Sequence, residues 1–151
     1  MNKKKNLTIE ETFALAVQNH NKNNLQVAKN LYKTILKTNP NYVGVNYNLG
    51  IAYKELKEYQ NAISCYEKAI QIDPNYANVY YNLGNILQEL RQLQKAKSCY
   101  EKLLNLDPTY KKGYSGYGNL LLKITQHNKG LAYIRKGDGV IRFTQNDVKI
   151  I

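Results

Sequence analysis

The stretch VGVNYNLGIAYKELKEYQNAISCYEKAIQIDPNY, positions 43–76, is followed directly by ANVYYNLGNILQELRQLQKAKSCYEKLLNLDPTY, positions 77–110. The second copy keeps the register of the first without insertion or deletion. Tyr-Asn-Leu-Gly recurs at 47–50 and 81–84, and Ser-Cys-Tyr-Glu-Lys at 64–68 and 98–102. A period of thirty-four residues constrains the fold more than any composition does. A unit that short cannot bury its apolar face alone, so neighbouring units must stack to share a core.

Extending the register in both directions divides the chain into blocks 9–42, 43–76, 77–110 and 111–144. Each block carries two helical periods. In the second block Leu49, Gly50, Tyr53 and Leu56 share one face at spacings of three and four, and Ala62, Tyr66, Ala69 and Ile70 share the next. Asp73-Pro74 closes it, because the residue before a proline disfavours helical backbone. The third block repeats this with Leu83, Gly84, Leu87, Leu90, then Ala96, Tyr100, Leu103, then Asp107-Pro108. The first is looser, with Leu15, Ala16 and Asn19, then Ala28, Tyr32 and Ile35, then Asn39-Pro40.

These residues resemble the tetratricopeptide repeat family over about residues 8–136: the period, Leu49-Gly50 with Tyr53, Ala62, Tyr66 and Pro74, and Leu83-Gly84 with Ala96, Tyr100 and Pro108. The resemblance implies an all-α, right-handed α-solenoid of antiparallel helix pairs, three full repeats plus a degenerate fourth. It departs from the pattern where an aromatic is expected three residues before each Leu. Tyr80 and Tyr114 supply it, but Asn46 and Thr12 stand in the other two blocks, which weakens the contacts made there. A mid-helix glycine costs about 1 kcal/mol relative to alanine, so Gly50 and Gly84 are expected where paired helices cross closely, opposite the small Ala62 and Ala96.

The fourth block keeps Tyr114, Tyr117, Gly118, Leu121 and Ile124. Its second half has Gly130 and Gly137 where the others carry Ala or Leu, and Arg142 in place of Pro. The expectation is a short helix near 128–136, a turn at Gly137-Asp138-Gly139 and an extended segment through 140–144. The Asp-Gly pair also leaves a hairpin over 131–144 open. The expected organisation is a basic tail at 1–7, the repeat domain at 8–136 and a tail or cap at 137–151. The apolar ending Val-Lys-Ile-Ile either covers its own last helix or mediates self-association through the C-terminal end.

The formal net charge of +11 raises the question of anionic partners. The lysines are spread along the whole chain, so nucleic acid is not the expected ligand. Lys29, Lys33 and Lys37 form one helical stripe that would serve a basic-surface alternative, binding nucleic acid or anionic membrane with an affinity that falls steeply with salt. The N-terminal Lys3–Lys5 run lacks an apolar stretch behind it, and no segment is long and apolar enough for a membrane span, so a cytoplasmic location is the simplest reading. Cys65 and Cys99, at equivalent repeat positions, are expected to be reduced and partly buried. His20 and His127 stand alone, and no zinc motif, phosphate loop or nucleophile elbow occurs, so no catalytic site, metal or cofactor is expected.

Binding is therefore sought on the first helix of each pair, which in this family lines the concave groove. Asn48 and Asn82 lie about 200° around the helix from the glycine, off the core face, with Asn85 and Asn119 one turn along. A primary amide donates and accepts, so a row of them can hold an extended peptide by its backbone. The Asn-Leu-Gly-Asn run resembles the asparagine ladder in the repeats of O-linked N-acetylglucosamine transferases. It matches at Asn48, Asn82 and Asn85, partly at Asn119, and fails at Ala14 and Gly116. A chaperone-type carboxylate clamp is also resembled in part, through Lys112 and Asn85, but Tyr47 and Tyr81 replace its lysine and Gly116 its arginine. Tyr47, Tyr81, Lys54 and Lys123 complete the expected peptide-binding groove, with Glu55 and Glu89 beside them. The function implied is a non-catalytic protein–protein interaction scaffold. The alternative is a substrate-presenting region of a larger enzyme whose catalytic domain lies outside this sequence.

Overall fold

The computed structural model describes residues 7–138, 141–143 and 148–150. Most of the expected basic tail, together with Gly139, Val140 and Thr144 of the expected C-terminal turn and extension, lies outside the described residues. Eight helices are present among those described: α1 (Ile9–Asn21), α2 (Leu25–Thr38), α3 (Val43–Glu55), α4 (Tyr59–Ile72), α5 (Ala77–Glu89), α6 (Leu93–Leu106), α7 (Lys111–Lys123) and α8 (His127–Asp138). Consecutive helices pack as the pairs α1/α2, α3/α4, α5/α6 and α7/α8. The expected all-α repeat fold is therefore observed. A small antiparallel hairpin follows, β1 (Ile141–Phe143) with β2 (Val148–Ile150), in the register Ile141↔Ile150, Arg142↔Lys149 and Phe143↔Val148. The chain forms two compact units, Met1–Tyr76 and Ala77–Ile151.

Local chemistry sets the helix ends. Thr8 caps α1 with a capping box: its hydroxyl accepts from the Glu11 amide at 3.1 Å, and the Glu11 carboxylate accepts from the Thr8 amide at 2.9 Å. Asn39, Asp73 and Asp107 end α2, α4 and α6 in the residue before each proline. Asp73 and Asp107 then accept the amides of Asn75 and Thr109, each at 2.9 Å, shaping the turn into the next repeat. Within each pair the turn is made differently. Asn23, Lys57, Arg91 and Thr125 have φ of 62°, 60°, 59° and 65°, and recur at the repeat period. In each case the following amide bonds back to a carbonyl five residues earlier: Asn24 to Asn19, Glu58 to Tyr53, Gln92 to Leu87 and Gln126 to Leu121. This is the left-handed cap that usually calls for glycine.

The first unit centres on Ala16, Ala28, Tyr32, Ile35, Val45, Leu49 and Ala52, with Phe13, Leu31, Tyr42 and Tyr53 packed around them. In the second unit Ala96, Tyr100, Leu103, Tyr117, Leu120, Leu121 and Ile134 are buried. The expected aromatic at 46 is an asparagine, and the contact survives in another form. Asn46 is 4% exposed and donates its amide to the Pro40 carbonyl at 3.1 Å and the Tyr42 carbonyl at 3.0 Å. Tyr114, at the same repeat position, donates its hydroxyl to the Pro108 carbonyl at 3.0 Å. Either side chain satisfies the carbonyl before the turn.

The side chains nearest the repeat glycines are aromatic rings, one helical turn beyond the expected alanines. A Cβ on Gly50 would stand 2.5 Å from the Tyr66 ring, and one on Gly84 3.2 Å from Tyr100. The fourth pair is the most closely apposed. A Cβ on Gly118 would lie 2.7 Å from the Gly130 carbonyl oxygen, and one on Gly130 2.9 Å from the Gly118 carbonyl oxygen. The two backbones touch there, so Gly130 and Gly137 mark tight packing and the helix runs past both. α8 therefore ends at Asp138, beyond the expected 128–136, and the expected turn residues Gly137 and Asp138 are helical. Because 131–138 are helical, the hairpin considered over 131–144 does not form. The hairpin observed lies further on.

Candidate functional site

In the first unit three helices converge on a hollow of about 480 Å³. α1 contributes Val17, His20 and Asn21, the turn Asn23, α2 Tyr32, and α3 Asn48, Ile51 and Glu55. His20 ties them together. Its Nε2 lies 2.9 Å from Glu55 Oε2, which fits a proton on Nε2 donated to the carboxylate. Nδ1 then faces the Tyr32 hydroxyl at 3.5 Å, the long limit of a hydrogen bond. The His20 and Tyr32 rings meet edge to face. Burial, and secondarily the Glu55 charge, push the Tyr32 phenol up to about 12, so it remains a neutral donor. Asn48, half-buried at the rim, donates to the Gly44 carbonyl four residues back at 2.8 Å.

In the second unit the corresponding tyrosine is Tyr100. Its hydroxyl donates to Asn85 Oδ1 at 2.6 Å, with Gln88 Oε1 at 3.3 Å, and its ring stacks on Tyr117 with centroids 6.1 Å apart. Tyr117 donates to Glu101 Oε1 at 2.6 Å. Burial raises the pKa of Tyr100 and Tyr117 well above the ordinary phenol value.

The expected groove residues fall into different surroundings. Asn48 and Asn85 each reach the second-helix tyrosine side of their unit. Asn82 does not lie off the core face. It is 8% exposed and donates to the Asn78 carbonyl at 3.0 Å. Within the second unit, Gly116 at the equivalent position of α7 would place a Cβ 2.9 Å from Tyr100 of α6, so an angle measured from the glycine does not decide whether this position is covered. Asn119 is exposed, as are Lys112 and Lys123, while Lys54 is half-buried. Tyr47 packs against Tyr76 at 4.9 Å, and Tyr81 against Tyr110 at 5.4 Å, so both rings also serve packing. Tyr110 in turn donates to Asn78 Oδ1 at 2.8 Å.

Sequence reasoning missed the His20–Glu55 pairing. The two residues are thirty-five apart, one turn of the repeat plus one residue, which was the only available signal. The lysine stripe is interrupted: Lys29 reaches Glu58 at 2.8 Å and lies 5.6 Å over the Tyr53 ring, leaving Lys33 and Lys37 exposed. Both cysteines are free thiols, and burial pushes Cys65 up to about 11, away from thiolate chemistry. Among the described residues no group of three His, Cys, Asp or Glu side chains could hold a metal ion. No described helix is long and apolar enough to cross a membrane.

Three family models match: one described as TPR repeat over residues 52–91, and two described as tetratricopeptide repeat over 77–110 and 31–64. Together they span more than half of the chain, and the match over 77–110 coincides with the pair α5/α6. The chain belongs to the tetratricopeptide repeat family. Tetratricopeptide repeats are protein-interaction scaffolds, and this is the class of molecule the chain represents. No curated protein matches it. Among solved structures, the crystal structure of MamA superimposes with a TM-score of 0.82 at 23% identity, covering 86% of this chain and 76% of that one. MamA 41-end from Desulfovibrio magneticus RS-1 gives 0.80 at 24%, covering 85% and 73%. MamA MSR-1 gives 0.76 at 19%, covering 90% and 78%. At these identities the likeness concerns the tetratricopeptide fold.

Proposed function

We propose that the chain holds an extended segment of a partner protein against the first-helix faces of its units. The observation that carries this is the hollow on the first unit, where Asn48 stands at the rim of a concave surface built from three helices. Asn48 spends one amide N–H on the Gly44 carbonyl. A primary amide has a second N–H and an acceptor oxygen besides, enough to pair with a peptide group. Asn85 accepts from Tyr100, which fixes its orientation, and its NH2 group is the half offered to a ligand. Asn119 extends the same role in α7, and Tyr47 and Lys54 on α3, Tyr81 on α5, and Lys112 and Lys123 on α7 are assigned to the same binding faces of their own helices. Asn82 is assigned to packing, given its burial.

The test is an unbiased peptide array against the wild type, Asn48→Ala/Asn85→Ala and, separately, Asn82→Ala. Broad binding that the double variant loses, with its melting temperature unchanged, supports the reading. Binding untouched by the double variant refutes it.

A further inference from the structure

We propose that the hollow on the first unit is a specificity pocket for one arginine side chain of the bound segment. This rests on the interaction reading above and names the chemistry its first unit selects. The chain is strongly basic, yet the lining of this hollow holds one carboxylate, Glu55, and neither lysine nor arginine. Glu55 is held in place by His20 through Oε2 at 2.9 Å, while its side chain remains 42% exposed, so the second oxygen is presented at the mouth by a braced carboxylate. His20 is a positioning residue here: only 11% exposed, it acts through Glu55. Asn21, Asn23 and Asn48 add amide groups around the rim, and Val17 and Ile51 give an apolar wall. A guanidinium offers five donors in a plane at the end of an apolar stem, which suits acceptors spread around a rim above aliphatic side chains. An anionic side chain would meet Glu55 unfavourably, and an aliphatic one would cover the rim without adding to the hydrogen bonds that Glu55 and Asn48 already make.

The experiment is an amide-resolved NMR titration of the full chain with N-acetyl-arginine N-methylamide and with its uncharged isostere N-acetyl-citrulline N-methylamide. The arginine probe is expected to shift the amides of Val17, His20, Asn48, Ile51 and Glu55, and to bind about threefold to fivefold more tightly than citrulline, the upper part of the range for a part-exposed charge pair. Glu55→Gln keeps an acceptor for His20 and removes the charge, and should abolish the preference. Asn23→Asp adds a rim carboxylate at a backbone conformation aspartate tolerates, and should increase it. Equal affinity for the two probes, a preference that survives Glu55→Gln, or shifts located elsewhere would overturn the proposal. The peptide array reports separately on the interaction reading. Array binding without an arginine preference in the hollow would sink this inference and leave that reading standing.

Discussion

Three tyrosines occupy one repeat position, Tyr32, Tyr66 and Tyr100, all fully buried, and they differ in what their hydroxyls meet. Tyr100 has Asn85 and Tyr32 has His20, whereas the buried Tyr66 hydroxyl has no hydrogen-bond partner. An unsatisfied buried hydroxyl costs about 1–3 kcal/mol, and a made bond contributes about 1 kcal/mol. Tyr66→Phe should therefore raise the urea midpoint and Tyr100→Phe lower it, each by the equivalent of roughly 1 kcal/mol. Equal effects of both would contradict the hydrogen-bond assignment. Glu58 provides a second case. Its carboxyl is held below the ordinary glutamate value, first by the Lys29 hydrogen bond and then by that of Asn61. A carboxyl lowered on folding stabilises above its unfolded pKa and loses that contribution as pH falls through the folded value. Glu58→Gln should thus narrow the stability gap between neutral and acid pH, as read by melts at pH 7 and pH 3. At this scale the sequence told much about packing, since Leu49, Leu83, Ala62, Ala96, Tyr66 and Tyr100 are buried, but Leu15, at the repeat position of Leu49, is exposed. It told less about Asn82, because a helical periodicity marks one face and does not tell whether a residue off that face is covered.

Helix pairing depends on two devices that sequence patterns expose unequally. The glycines were visible as a repeat feature, but their partners were not. Spacing shows which residues share a helix face and leaves open which side chain crosses to meet it, so Tyr66 and Tyr100 emerge only in the structure. In the fourth pair a methyl group on Gly118 would collide with the Gly130 carbonyl and the Ile134 backbone nitrogen, at 2.7 and 2.8 Å. Gly118→Ala should cost about 1–3 kcal/mol, and Gly84→Ala, with 3.2 Å to a side chain that can yield, should cost clearly less. Comparative denaturant melts decide this. The other device, the left-handed turn residue, was illegible because none of the four is glycine. Thr125 is β-branched at φ 65°, the least comfortable of them. Thr125→Gly should stabilise by about 1 kcal/mol, seen as a higher melting temperature, and Lys57→Gly by a similar or smaller amount.

Over the whole molecule, the repeat architecture makes stability a sum of neighbouring contributions. Damage in one unit should then stay local. Hydrogen exchange on Gly118→Ala is expected to show α7 and α8 losing protection while α1–α3 keep theirs; uniform loss would show a single cooperative body instead. The helical repeat was readable from thirty-four-residue self-similarity alone. The C-terminal segment was less so: glycines that break a motif in sequence also permit closer packing in space, and both outcomes carry the same letters. The Asn46 and Tyr114 pair has a consequence for how such an array can change. In both, the donor varies while the acceptor is a main-chain carbonyl ahead of the turn, at Pro40 and Pro108. An acceptor carried by the backbone is present whatever the side chains become. One copy of the motif can therefore be rewritten without a matching edit in its neighbours, and drift in one repeat need not propagate along the chain.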